Sequence, residues 1–93
     1  MRQRVDVWLF RSRLAKTRAA AARLVSEGGV RLIRDGASRR LEKPSVEVAA
    51  GDTLVLRVGG LLRSIRVLAL NERRGPAAEA RLLYDELDAD ALA

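Results

Sequence analysis

The basic residues are the ones in this chain whose type and spacing indicate a binding function, and six of them lie in one stretch. Between positions 11 and 31 they are Arg11, Arg13, Lys16, Arg18, Arg23 and Arg31. Glu27 is the only acid in that stretch, so six positive charges and one negative charge give it a net charge of +5. Guanidinium groups present paired, planar N–H donors that match the oxygens of phosphate. The stretch therefore predicts a surface that binds a phosphate-bearing partner.

The side chains that most often carry catalysis are missing from the sequence. The chain has no His and no Cys, which removes the commonest general base, the thiol nucleophile and the usual ligands of transition metals. Neither Gly28-Gly29 nor Gly59-Gly60 belongs to a phosphate loop or a dinucleotide fingerprint, and the carboxylates are scattered. We therefore expect a binding protein and not an enzyme, with no metal and no cofactor.

The charge is unevenly distributed along the 93 residues, whose formal net charge is +6. Residues 1–43 carry +8, residues 44–70 carry +1 and residues 71–93 carry −3. A basic first half predicts nucleic acid or an anionic membrane as the partner. No apolar run approaches the ~20 residues of a membrane span, so we expect no membrane partner. Residues 1–10 lack the apolar core of a signal peptide, and together with the absence of Cys this predicts a cytoplasmic protein.

Only three aromatic residues, Trp8, Phe10 and Tyr84, are present. Proteins that bind single strands usually stack successive bases on aromatic side chains, and this chain has too few for that mode. Trp8 shares a helical face with Val5 and Leu9, which predicts that it belongs to the core. The composition therefore favours recognition of the backbone and shape of structured RNA.

The spacing of apolar residues predicts two helices at the start of the chain. The first covers residues 4–13, in which one face collects Val5, Trp8, Leu9 and Ser12. Residues 14–16 form a connector, and Thr17 is a good N-cap for a second helix over residues 18–27. Gly28-Gly29 then ends that helix. Its narrow apolar stripe consists of Ala21, Leu24 and Val25.

From Val30 onwards the apolar period changes to two, which predicts strands. The expected strands begin at Val30, cover residues 53–58 and cover residues 62–70, and a basic loop is expected over residues 38–43. Turn signals stand at Asp35-Gly36, Gly51-Asp52 and Gly59-Gly60. A linker at 71–76 precedes a third helix over residues 77–92, for which Pro76 provides a start. The fold class is therefore α+β: a helix pair packed on a small, mostly antiparallel sheet, with a C-terminal helix.

Several motifs occur in an order that resembles the RNA-binding domain named after ribosomal protein S4. They are Arg4-Val5-Asp6-x-Trp8-Leu9, Arg13-Leu14-x-Lys16-Thr17-Arg18-x-x-Ala21, Leu24-Val25-x-x-Gly28-x-Val30, Gly36 and Gly51-Asp52-x-Leu54. The resemblance covers residues 4–58. It implies an S4-like RNA-binding domain over residues 1–70, followed by a linker and a helical tail over residues 71–93.

A second group of motifs is similar, more narrowly, to the heat-shock protein 15 family. These motifs are Trp8-Leu9-Phe10, Lys16-Thr17-Arg18, Lys43-Pro44-Ser45 and the segment Arg73-Arg74-Gly75-Pro76-Ala77-x-Glu79-Ala80-x-x-Leu83-Tyr84. Members of that family associate with large ribosomal subunits that have kept a nascent chain and its tRNA. The resemblance thus implies RNA of the large ribosomal subunit, and peptidyl-tRNA, as partners. We expect the protein to be a monomer.

Carried over by position, the resemblance implies contacts with the RNA from the second helix and the loop after it, with further basic residues around them. The implied RNA-binding residues are Arg11, Arg13, Lys16, Thr17, Arg18, Arg23, Arg31, Arg39, Arg40 and Lys43. An internal pair between Asp6 and Arg18 is the alternative for Arg18.

Three departures from the family pattern accompany this resemblance. Val5 stands where Leu is usual, which is a mild change in the core. Arg34-Asp35-Gly36 stands where Asn-Gly is common, which places an acid at the turn. The segment after the sheet is short, from which we expect weaker ribosome binding.

Two other functions remain open on the residues alone. A basic second helix also suits the major groove of DNA, so a DNA-binding regulator is the first alternative. The second is an RNA-targeting module for a modifying enzyme that is encoded separately.

Overall fold

The computed structural model describes residues 1–87, in which a pair of helices packs on one antiparallel sheet. In chain order the elements are β1 (Gln3–Arg4), α1 (Val5–Arg11), α2 (Arg18–Ser26), β2 (Val30–Arg34), β3 (Ala37–Arg40), β4 (Glu47–Val48), β5 (Thr53–Val58), β6 (Leu61–Val67), α3 (Ala77–Ala80) and β7 (Tyr84–Leu87). The sheet has the strand order β3-β2-β5-β6-β7, and β1 pairs separately with β4. The predicted α+β class, a helix pair on a mostly antiparallel sheet with a helix after it, is confirmed.

The two first helices begin and end where their local chemistry predicts. The side-chain hydroxyl of Thr17 accepts a hydrogen bond from the backbone N–H of Ala20 at 2.9 Å, which satisfies one of the free donors at the start of α2. Gly28 ends α2 with a φ of +81°, a left-handed conformation that costs glycine little. In α1, Asp6 lies in the first turn, where a carboxylate suits the helix dipole.

The core lies between the helix pair and one face of the sheet. The predicted face of α1 is buried, and Trp8 is fully buried, with its indole N–H donating to the carbonyl oxygen of Ala69 at 2.9 Å. From α2, Ala21 and Val25 are buried, while Leu24 packs at the edge of the core. The sheet contributes the alternate residues of its central strands, which are Val30, Leu32, Leu54, Leu56, Ile65 and Val67. Because strand side chains alternate, the residues between these point to the opposite face.

The predicted loop over residues 38–43 is wrong for its first part. Residues 37–40 form β3, which pairs with β2 through a two-residue turn at Asp35-Gly36. Both turn residues have positive φ, +52° and +78°, as a tight hairpin turn requires. All four residues of β3 are exposed at the sheet edge, so no apolar alternation marks the strand in the sequence.

The helix after the sheet is much shorter than predicted. The α3 helix is a single turn, extended by a 3-10 turn over Arg81–Leu83, and residues 84–87 form strand β7 against β6. Two hydrogen bonds of 2.8 Å from the Arg63 guanidinium to the Glu86 carboxylate attach β7 to β6. The prediction of helix over residues 84–87 is therefore wrong, and its continuation over 88–92 lies outside the part of the chain that the structure describes.

None of the helices within residues 1–87 combines the length and apolar character needed to cross a membrane.

Candidate nucleic-acid interface

The α2 helix presents positive charge to solvent from Lys16, just before it begins, to Arg23 in its last turn. Lys16, Arg18 and Arg23 are all exposed, and the first turn of the helix contains no acidic residue. Arg23 lies on the helix face opposite Ala21, because two residues of helix turn the chain by about 200°. At the start of the helix, free backbone N–H groups and the helix dipole add to the attraction for anions. The Thr17 hydroxyl accepts the cap hydrogen bond and keeps its own O–H donor, so its contact with RNA stays a prediction.

The alternative pairing of Arg18 with Asp6 is not formed in this structure. Asp6 instead accepts two hydrogen bonds of 3.0 Å from Arg4, its neighbour two residues earlier. Its side chain also accepts the backbone N–H of Val7 at 2.8 Å. Arg18 forms no hydrogen bond or ion pair with its side chain among residues 1–87, which leaves its guanidinium available for a ligand.

Arg11 and Arg13, two of the predicted RNA-binding residues, hold the linker after the sheet. Arg11 donates to the carbonyl oxygen of Asn71 at 2.6 Å, and Arg13 donates to that of Gly75 at 2.8 Å. Arg13 also has a φ of +63°, a conformation that is costly for a residue with a side chain. The chain turns there between α1 and α2. Each guanidinium retains further N–H groups, but part of the function of both residues is internal.

The remaining predicted residues gather at the β2–β3 hairpin and the loop that follows it. Arg31 and Arg40 are directly opposite each other in the β2–β3 register. Arg39, Arg40 and Lys43 line one depression of about 400 Å³, together with Glu42 and Val46. All four basic side chains are exposed. The structure thus brings Arg39, Arg40 and Lys43 together and joins Arg31 to them through Arg40.

A partly buried ion pair fixes the turn end of the β2–β3 hairpin. Arg34 donates to both oxygens of Asp52, at 2.9 and 2.7 Å, and the Asp52 side chain is only 5% exposed. Burial alone would raise the pKa of Asp52. The hydrogen bonds from Arg34 and from the backbone N–H of Ala49 outweigh that effect and hold the pKa below its ordinary value. Asp52 is therefore a charged anchor that positions the hairpin.

Sequence reasoning missed Arg57 as a candidate. Arg57 is exposed near the end of β5, and its side chain projects on the same sheet face as Arg31 and Arg40. Its backbone N–H donates to the carbonyl oxygen of Gly29 at 2.8 Å, which places it beside the end of α2. Arg57 comes close to Arg31 and Arg40 only because β5 pairs with β2 in this register. The alternation of apolar residues in the sequence does not show which strands pair.

No group of three or more His, Cys, Asp or Glu side chains within residues 1–87 is arranged to hold a metal ion.

Comparison with known proteins identifies the first third of the chain as an S4 domain. The model of that domain family matches residues 3–32, which contain α1, α2 and the start of β2. Among curated proteins, heat shock protein 15 of Escherichia coli strain K12 is 41% identical over 83 residues, which are 89% of this chain. A homologue from Haemophilus influenzae is 36% identical over 85 residues. The chain spans 59% of the length of the first relative and 61% of the second.

A solved structure shows the same fold as residues 1–87 of this chain. It is described as the trimeric structure of Vibrio cholerae heat shock protein 15, and it superposes with a TM-score of 0.80 at 33% sequence identity. The alignment covers 99% of this chain and 87% of that one. The similarity therefore extends through the sheet and the segment after it, beyond the S4 match.

Proposed function

Since this chain belongs to the heat shock protein 15 family, we propose that it is an RNA-binding protein that docks on the large ribosomal subunit. The subunit that it serves is one blocked by peptidyl-tRNA, as the family resemblance implies. Docking would stabilise that blocked subunit so that the nascent chain can be released or processed. The protein would act by binding alone, without catalysis and without a cofactor.

The exposed cations around α2 are the observation that carries this proposal. Three ion pairs form within residues 1–87, and they use Arg4, Arg34 and Arg63. Lys16, Arg18 and Arg23 take part in none of these ion pairs. The first half of the chain has more basic than acidic residues, so some of its cations have no acid to pair with. Exposed cations clustered along one helix are typical of a surface that neutralises phosphates.

The type of contact follows from the side chains that are present. Arg and Lys around a short helix contact phosphates and ribose, which fixes position on the RNA but conveys little about its sequence. Trp8 is buried and the Phe10 ring is covered by Arg74, whose guanidinium carbon lies 4.7 Å from the ring centre. Neither ring is available as a stacking platform for bases. The supported mode is recognition of a structured RNA by its shape and backbone.

A sedimentation experiment tests the proposed partner. The purified protein would be mixed with large subunits that carry peptidyl-tRNA, with vacant large subunits and with small subunits, at low and moderate salt. We expect co-sedimentation with large subunits and stronger retention on those that carry peptidyl-tRNA. Absence from every ribosomal fraction would contradict the proposal, and retention of duplex DNA in a parallel assay would favour a DNA-binding regulator.

We propose that the RNA-binding form is the monomer. The core of residues 1–87 closes within one chain, since Val5, Trp8, Leu9 and the buried residues of the sheet are covered without a partner. The Vibrio cholerae relative was solved as a trimer. Light scattering across a range of concentrations, with and without RNA, would show which state binds.

A further inference from the structure

Three arginines surround a depression on the sheet face that points away from the helices. Arg40 comes from β3, Arg31 from β2 and Arg57 from β5, which are neighbouring strands. The depression measures about 270 Å³, which is close to the lower end of the range of roughly 300–1,000 Å³ found for small-molecule sites. Glu27 and the turn at Gly28-Gly29 form its rim.

The cations of this depression repel one another and form no ion pair within residues 1–87. Arg31 and Arg40 stand directly opposite each other in the register, an arrangement that destabilises a sheet when both residues carry the same charge. Within residues 1–87 the three guanidinium groups form one hydrogen bond, which runs from Arg31 to the hydroxyl of Ser38 at 3.3 Å. Glu27 is the only acid in the lining. A bound anion would relieve this repulsion.

The Gly28-Gly29 turn positions two of these residues, Arg40 and Arg57. A Cβ atom at Gly28 would lie 3.3 Å from Cδ of Arg40, so the bare glycine leaves room for the aliphatic stem of Arg40 over the end of α2. Arg57 is fastened to the same turn by the hydrogen bond from its N–H to the Gly29 carbonyl. The depression therefore lies beside the end of α2, the helix whose last turn contains Arg23.

The depression also has an apolar side, which phosphate binding alone does not require. Val55 is half-buried, and Leu62, directly opposite Arg57 in the register, is 66% exposed. Apolar side chains and guanidinium planes can both cover the face of a base, while guanidinium N–H groups bind the adjoining phosphate. Bases inside a continuous RNA helix are covered by their neighbours and cannot enter such a recess, whereas an unpaired base can.

We propose that this depression binds one unpaired nucleotide of the RNA, with its base against Leu62 and Val55 and its phosphate between Arg31, Arg40 and Arg57. The inference rests on the proposed RNA binding and adds a specificity to it. The protein would distinguish an RNA helix interrupted by a bulged nucleotide from the same helix without interruption.

Two hairpin RNAs that differ only by one bulged nucleotide test this inference. We expect the wild-type protein to bind the bulged RNA about tenfold more tightly, a difference of about 1.4 kcal/mol in binding free energy. Leu62→Ser and Arg57→Gln should each bring that ratio close to one. Both residues are exposed, so circular dichroism should show an unchanged fold.

The chain provides a matched control for each variant. The control for Leu62→Ser is Leu61→Ser, which changes a neighbour that is 71% exposed but projects on the other face of the same strand. The control for Arg57→Gln is Arg66→Gln, which removes an exposed charge from β6 outside the depression. Both controls should keep the tenfold ratio. Equal binding of the two RNAs by the wild type, or a ratio unchanged in Leu62→Ser and Arg57→Gln, would overturn this inference alone. Binding of neither RNA by the wild type would overturn the proposed RNA binding as well.

Discussion

Removing three charges around α2 should weaken RNA binding without unfolding the domain. The triple substitution Lys16→Ala, Arg18→Ala and Arg23→Ala affects exposed side chains only. None of the three forms a side-chain hydrogen bond or an ion pair within residues 1–87, and alanine favours the helix. Arg13 is left in place because its hydrogen bond to Gly75 supports the linker, so its loss would mix a binding effect with a structural one.

The expected size of the effect follows from counterion release. Each phosphate contact contributes about 0.7–0.9 to the slope of log affinity against log salt concentration. Loss of three contacts should therefore lower the slope by about 2–2.7, which corresponds to a loss in affinity of roughly 50- to 150-fold at about 150 mM salt. The loss should shrink steadily as the salt concentration rises.

A second triple variant separates the surface from the overall charge. Arg66→Ala, Arg73→Ala and Arg81→Ala remove the same number of positive charges from exposed positions away from α2. Fluorescence anisotropy with a structured RNA, repeated over several salt concentrations, would measure both slopes. We expect a small change for this control. Equal slopes for the two triple variants would refute the argument, because the binding would then follow net charge and not the α2 surface.

Two further predictions concern the framework that positions this surface. The pKa of Asp52 is lowered in the native state, so its charged carboxylate stabilises the fold above its unfolded pKa of about 3.9, and this contribution is lost as the pH falls through the native pKa. Asp52→Asn should therefore lower the free energy of unfolding by about 1.5–3 kcal/mol at neutral pH. Urea unfolding at several pH values should also show that the variant loses less stability than the wild type below about pH 4. Trp8→Phe should lower the free energy of unfolding by about 2 kcal/mol, since it removes the hydrogen bond to Ala69 and leaves unfilled volume in the core; an unchanged unfolding midpoint would contradict that assignment.

The parts of the fold that could be predicted are those with local causes. The Thr17 cap, the end of α2 at Gly28 and the Asp35-Gly36 turn each depend on a residue type at one position. The buried face of α1 follows from the spacing of Val5, Trp8 and Leu9 alone. Local chemistry of this kind is visible in a single sequence.

The elements that were missed depend on pairing between distant segments. Strand β3 has no buried face, so its residues show no period, and β7 has apolar residues whose spacing also fits a helix. Pairing with β6, and the bond between Arg63 and Glu86, settle the conformation of β7. Propensity gives way to such tertiary contacts.

The residues of the candidate site also differ in whether local sequence or long-range contacts identify them. Clustered charges identified the α2 surface and the basic residues after it, whose contacts with RNA stay a prediction. The internal bonds of Arg11 and Arg13 join residues about 60 positions apart, and their sequence neighbours give no sign of them. Arg57 becomes a candidate only through the register of β2 and β5, which places it beside the end of α2.

Ultraviolet crosslinking of the wild-type protein to large ribosomal subunits, followed by mass spectrometry of the crosslinked peptides, would show which segments of the protein contact ribosomal RNA. We predict crosslinks to ribosomal RNA in the segments that contain Lys16, Arg18 and Arg23 and in the β2–β3 hairpin with its following loop. Crosslinks confined to other segments, such as β6 and α3, would contradict the claim that the basic surface around α2 binds the RNA.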